Sequence, residues 1–394
     1  MTLWGFSWDK SAAGVYTRLN AAVGLNPIPY VTGYDDEGYN IYHASDFDTI
    51  GPWMTRRCNV WDDGTVTAYY GDPEFTDTDV ENMGQVMVEY PNAYYYIDTQ
   101  TSGLYKFFIS DDPTDVVPVA GSPTVKIHPI FLVDGVPKDH AYIGAYEGFI
   151  NPSTSMLESR GLVQPDVGKT IAQYRAAAQA RGTGWGIETI QQVAWRRLLF
   201  SVEFARFDSQ AALGAGKINN GIIYDTGQTA GMGSRSWGNP NADRYPVSHR
   251  GYENPWGSTK ELIDGVNIQG DSNYPNLLFL IWVLDQTRTA AKYAGATYDG
   301  VNYINTTLAF PPGVGYISDI GIANPYDWMF LPKTFGGSDT TYFCDAAACY
   351  GGDSALTVGG AITESLNAGL FWSYAYDVDD TYSHGGARLS YLEA

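Results

Sequence analysis

Apolar and polar positions alternate in short runs over much of the chain. Gln85 to Glu89, Ala93 to Asp98 and Leu104 to Ile109 each carry β-branched or aromatic residues at every second position. Pro91-Asn92 and Ser102-Gly103 separate them, so three strands joined by turns are expected. Met54 to Val60 followed by Asp62-Asp63-Gly64-Thr65-Val66 reads as two further strands around a tight turn. The period changes between residues 169 and 204. Lys169 to Arg181 is alanine-rich and stops at Gly182, and in Ile187 to Phe204 the apolar positions Ile190, Val193, Leu198 and Val202 recur at helical spacing. Two helices are expected there, the second burying one face. Leu277 to Leu284 is apolar throughout but too short to span a bilayer, and reads as a buried strand or short helix. Gly214 to Asn254 is glycine-rich and reads as irregular.

The C-terminal segment is where contact-making residue types concentrate. Between Gly359-Gly360 and Gly385-Gly386 lie Asn, Ser, Asp, Tyr and Trp side chains in a frame of turn-forming glycines. Tyr and Trp give large contact area at small entropic cost, so the segment reads as a rigid frame displaying a binding face. The candidate contact residues are Glu364, Asn367, Trp372, Tyr374, Tyr376, Asp377, Asp379, Tyr382 and Ser383, with Tyr350 and Asp353 from the adjoining loop. Alternation from a buried Phe371 predicts that Trp372, Tyr374 and Tyr376 share the outward face.

Three separated blocks carry a resemblance to tail and receptor-binding proteins of tailed bacteriophages. One runs from His249-Arg250-Gly251-Tyr252-Glu253-Asn254-Pro255-Trp256-Gly257 to Glu261-Leu262-Ile263-Asp264-Gly265-Val266-Asn267-Ile268. The second joins His128-Pro129 and Asp134-Gly135 to Tyr142-Ile143-Gly144-Ala145-Tyr146-Glu147, and the third is the terminal glycine array closing on Ala387-Arg388-Leu389. The resemblance implies an α+β, C-type-lectin-like fold of the formylglycine-generating-enzyme type: two helices, short strands and long irregular loops, with the ligand face in the C-terminal segment. On that basis residues 85–394 are expected to form the receptor-binding domain, and 1–84 a β-rich segment that packs on it or attaches it to the virion. Some proteins of this kind are variable proteins of diversity-generating retroelements. The expected role is therefore a non-enzymatic virion protein of the tail that binds a host-surface receptor. A capsid head fibre or decoration protein and a tail-associated glycan-degrading enzyme are the alternatives.

Composition narrows the partners. Of 394 residues, 14% are aromatic and 44 are glycine, which suits loop- and strand-rich packing. A formal charge of −21 argues against nucleic acid and against anionic lipid surfaces, because both need clustered Lys and Arg. Met1 to Asp9 has neither the basic region nor the apolar core of a secretory signal, as expected for a virion protein made in the host cytoplasm. The expected partners are the receptor, other virion proteins and further copies of the chain, with a trimer as the first expectation.

Catalytic signals are weak. Cys344 and Cys349 have the spacing of the copper-binding pair in formylglycine-generating enzymes but lie before the Gly359-Gly360 turn, where that pair follows it. Positions after the turn hold Asn367, Ala368, Phe371 and Tyr374, so no oxidase is expected. With Cys58 the three cysteines define no disulfide framework, and Cys344 and Cys349 read equally as a short bridge or as small buried residues. Glu253 and Asp264 sit in a resemblance block, while Asp98, Asp111 and Asp112 read as turn acids. No metal ligand is assigned. Oxygen-rich loops at Asn219 to Asp225 and Asn239 to Asp243 leave calcium as a candidate structural ion. Arg388 is expected to anchor the closing strand, and Trp256 to lie in the core.

Overall fold

The computed structural model describes residues 2–11, 15–27, 31–34, 40–42, 45–219, 221–230, 235–236, 245–271, 278–284, 303–341, 343–350 and 353–393. Its architecture corrects the expected fold class. Among the described residues strand makes up 40% and helix 14%, and the largest unit is a curled half-barrel sheet, so the protein is mainly β and not an α+β lectin-like domain. The reason lies in long-range pairing. Stretches that read as loops, rich in glycine and small or polar residues, complete their backbone hydrogen bonds with strands distant in sequence.

Three large sheets carry the architecture. The first orders Lys126–Ile127, Tyr94–Thr101, Leu104–Ser110, Leu3–Asp9 and Val15–Asn20. The second orders Trp185–Ile187, Leu389–Tyr391, His140–Gly144, Gln85–Pro91, Arg56–Val60 and Val66–Tyr69. Strands from both sides of residue 84 thus share two sheets. The third runs Tyr303–Phe310, Leu278–Leu284, Lys260–Asp271, Asp353–Val358, Ser373–Asp377, Ala346–Cys349, Gly313–Ile320 and Pro332–Phe335, with Gly385–Gly386 pairing in parallel to Lys260–Asp271. Arg56–Val60 and Val66–Tyr69 form an antiparallel hairpin whose turn closes with Gly64 N–H donating to the Trp61 carbonyl at 2.8 Å. The apolar run before residue 285 is a strand.

Helices occupy Ile171–Gln179 and Ile190–Phe204, each opened by a threonine capping box, Thr170 with Gln173 and Thr189 with Gln192. The second departs from its amphipathic reading: all fifteen of its residues are buried. Sheets and loops enclose it on every side, so its polar residues need internal partners. Arg196 pairs with Glu188 at 2.7 Å, and Glu203 receives the His249 ring at 2.9 Å and the Arg250 guanidinium. Arg197 donates to the carbonyls of Leu370, Phe330 and Trp372 and to Ser373 Oγ. The helix therefore fastens the 370–373 backbone from behind.

Arg388 and Trp256 have structural roles. Arg388 is fully buried, pairs with Glu261 at 2.6 Å and donates to the carbonyls of Gly144 and Glu253, tying the last strand to the third sheet. Trp256 is fully buried, its indole N–H donating to the Gly214 carbonyl.

Candidate functional site

The Ser373–Asp377 strand lies inside the third sheet, antiparallel to Asp353–Val358 and parallel to Ala346–Cys349. Its two faces divide by the period of two. Phe371 and Ala375 enter the main core, where the Phe371 ring packs against Phe207 and Phe343. Trp372, Tyr374 and Tyr376 occupy the other face and continue into Tyr382, forming a ladder of rings. Trp372 and Tyr374 stack with centroids 4.1 Å apart and planes 7° from parallel. Tyr374 to Tyr376 is 5.6 Å, and Tyr376 to Tyr382 is 4.2 Å at 43°.

Two glycines shape the ends of this strand's approach. Gly360 takes a φ of +73°, and a Cβ there would come within 2.7 Å of the Ala368 Cβ. A Cβ on Gly369 would lie 2.0 Å from Asp345 Oδ1. The other Asp345 oxygen accepts the Phe371 N–H at 2.7 Å, so a buried carboxyl fixes the chain just before the ladder. Burial pushes that carboxyl well above the usual carboxylate range.

The ladder is not uniformly exposed. Trp372, expected on the outward face, is 0% exposed beneath its neighbours; Tyr374, Tyr376 and Tyr382 are half-buried, and Tyr350 beside them is 67% exposed. Glu364 and Asn367 are half-buried, and Asp353, Asp377, Asp379 and Ser383 are exposed. Glu364 pairs with Lys260 at 2.9 Å, and Lys260 Nζ also donates to the Tyr376 hydroxyl at 3.1 Å. The same ammonium lies 5.5 Å from the Trp372 ring centre and 5.2 Å from that of Tyr376. Asn367 Oδ1 accepts from the Tyr316 hydroxyl at 2.6 Å. Asp377 Oδ1 accepts the Asp379 N–H at 3.0 Å, Tyr382 donates to Asp380 at 2.6 Å, and Ser383 lies 3.3 Å from His384 Nδ1.

Burial raises the phenols of Tyr374 and Tyr376, and the Glu364 carboxylate adds to it, so both stay protonated at neutral pH. Tyr350 and Tyr316 contribute to the same effect on Tyr374, which places them in its surroundings. Sequence reasoning missed Lys260, Tyr316 and Asp380. Lys260 and Tyr316 reach the ladder from strands far away in the chain, and no local pattern marks them. Asp380 stands between two residues that were selected, and its contact with Tyr382 is the kind of short-range pairing that sequence proximity suggests.

The other residues weighed for chemistry are engaged in structural contacts. Glu253 accepts the N–H groups of Gly227 and Thr229, Asp264 is clamped by Arg175, and Asp98 pairs with Lys106 at 3.3 Å. Asp111 accepts from the Thr2 hydroxyl, and Asp112 from Thr114. Cys58, Cys344 and Cys349 are free thiols. Among the described residues no three His, Cys, Asp or Glu side chains gather as a metal site, and no helix is long and apolar enough to cross a membrane. The 239–243 loop weighed for calcium lies outside the described residues, as does residue 220 of the other.

Comparison with known protein families and with curated proteins finds no match. Among solved structures the chain is distantly similar to one titled Major Tropism Determinant U1 Variant, at 13% identity and a TM-score of 0.30, over 86% of this chain and 71% of that one. At that score the likeness supports no conclusion about fold or activity.

Proposed function

We propose that this chain is a phage tail protein that binds a receptor on the host surface, without catalysis, through the aromatic face of the Ser373–Asp377 strand. The observation that carries the reading is the ring ladder Trp372–Tyr374–Tyr376–Tyr382, mounted on a strand whose backbone is held from behind by Arg197. Aromatic side chains on a rigid support lose little entropy on binding and supply most of an interface's energy. Exposed Tyr350, which acts electrostatically on Tyr374 and Tyr376, and exposed Val314, two strands over and in register with Tyr374 through Ala348, extend the apolar surface beside it. The three blocks that resemble phage tail proteins support the virion setting.

Retention of the purified chain on a panel of intact bacterial strains tests this reading. A retaining strain should lose the wild-type advantage when Tyr374 and Tyr376 are both replaced by Ala. Retention that survives the double variant would refute the assignment of the face. Release of reducing sugar from the retaining strain's surface glycans would refute the absence of catalysis.

A further inference from the structure

Lys217 is buried, yet among the described residues its ammonium makes no ion pair. It lies 4.5 Å from the centre of the Tyr224 ring, and the carboxylates of Glu147, Glu253 and Asp225 act on it electrostatically. A second unmatched group stands beside Glu147. Asn254 is buried, its Nδ2 donates to Glu147 Oε2 at 3.1 Å, and its Oδ1 has no hydrogen-bond partner. The backbone brings the two residues to the same carboxyl. Lys217 bridges in parallel to Gly257 and its carbonyl accepts the Ser258 N–H at 2.8 Å, while Ser258 Oγ donates to Glu147 Oε2 at 3.0 Å. Burial holds the Lys217 ammonium below its ordinary range against the pull of the three carboxylates, and burial raises the Glu147 carboxyl despite Arg388. The lysine is thus shifted toward the free amine, a nucleophile, and the glutamate toward the acid.

We propose that Lys217 Nζ and the side chain of Asn254 join in an amide cross-link, with Glu147 carrying the proton. Nζ attacks Asn254 Cγ, and the carbonyl electrons move onto Oδ1. Glu147 takes the proton released from Nζ and passes it to Nδ2, to which it is already hydrogen-bonded. The carbonyl re-forms, the Cγ–Nδ2 bond breaks and ammonia leaves. One amine and one carboxamide give one secondary amide and one ammonia, so no oxidant, reductant or cofactor is needed. Holding the reacting groups in one buried place supplies the rate that the same groups lack in water. The product also removes a buried charge that has no ion pair. It would tie together two segments that support the candidate binding strand: the Ile218 carbonyl accepts the Ser365 N–H at 3.0 Å, and the Gly257 N–H donates to the Gly359 carbonyl at 3.1 Å. The cross-link does not depend on what the ladder binds.

Mass spectrometry of the purified, folded full chain tests this. The intact protein should be lighter than its sequence by one ammonia, about 17 Da, and a tryptic digest should yield a branched peptide joining Lys217 to Asn254, uncut after the lysine. Pro255 has no N–H, so the ring closure of an asparagine onto the next main-chain nitrogen cannot mimic the loss at Asn254. Lys217→Arg and Asn254→Ala should each restore the full mass. Asn254→Asp should lose water in place of ammonia, about 18 Da, and keep the branched peptide. The folded fraction of Glu147→Gln should lack that peptide. Its absence from the folded wild-type chain, or a mass deficit unchanged in Lys217→Arg, would overturn the cross-link. A wild-type yield of the branched peptide from Glu147→Gln would overturn the role given to Glu147.

Discussion

The indole of Trp372 and the phenol of Tyr374 lie face to face, 4.1 Å apart and 7° from parallel, with the first ring fully buried and the second half-exposed. One strand face therefore holds two kinds of residue: Trp372 supports and Tyr374 and Tyr376 contact. Trp372→Ala should destabilise the fold by about 3–5 kcal/mol, the range for removing a large buried aromatic side chain. Tyr376→Ala should instead cost about 2 kcal/mol of receptor binding with a small change in melting temperature. Thermal denaturation beside cell retention separates the two. A Trp372→Ala protein as stable as wild type would contradict the buried placement.

The contrast shows what the sequence could and could not carry. Period two was enough to put Trp372, Tyr374 and Tyr376 on one face, because a strand's geometry is local. Burial of Trp372 depends on what covers it, including Tyr374 and the Lys260 side chain from another strand, and no local pattern encodes that. The fold class failed for the same reason. The helical periodicity before residue 205 was strong and local, whereas Ala346–Cys349 and Asp353–Val358 are short, rich in small residues, and become strands only by pairing across the third sheet. The Asp62-Asp63-Gly64 turn was readable because both of its strands adjoin it.

Arg388 and Glu261 form a buried ion pair in which Arg388 Nε, at 2.8 Å, and Nη2, at 2.6 Å, both donate to one carboxylate oxygen. Removing one partner leaves a charge buried without compensation. Arg388→Met should lower stability by about 3–5 kcal/mol, and Arg388→Lys should recover only part of it because an ammonium cannot also reach the Gly144 and Glu253 carbonyls. Urea denaturation of the three proteins checks the order. A lysine variant equal to wild type would mean that charge alone suffices.

Gly369 leaves no room for a side chain, since its added Cβ would meet Asp345 Oδ1 at 2.0 Å. Gly369→Ala must displace a fully buried carboxyl whose other oxygen holds the Phe371 N–H. A loss of about 1–3 kcal/mol is expected, together with weaker retention because the ladder's approach shifts. Gly24→Ala is not a fair control despite the open space around it, because its φ is +84°. Gly186→Ala, with only the Ser390 hydroxyl at 3.8 Å, is the better one. Equal melting temperatures for the Gly369 and Gly186 variants would sink the argument.

His128 makes stability fall in mild acid. Its ring is fully buried among Tyr95, Trp195 and Trp328, and its Nδ1 accepts the Ile130 N–H at 3.3 Å, which requires the neutral form at that atom. Burial, with Lys126 adding to it, holds the ring well below its ordinary pKa of 6.5. The unfolded chain therefore takes up the proton first, and stability present above about pH 6.5 is lost as the pH drops below it. His249 adds to the same slope, since burial lowers it too despite the opposing Glu203 carboxylate. His128→Asn keeps a capping acceptor and removes the titration. Between pH 7 and pH 5 its melting temperature should fall less than that of wild type, even though the smaller side chain lowers the absolute value. Parallel pH profiles for the two proteins would show that His128 is not the group that titrates.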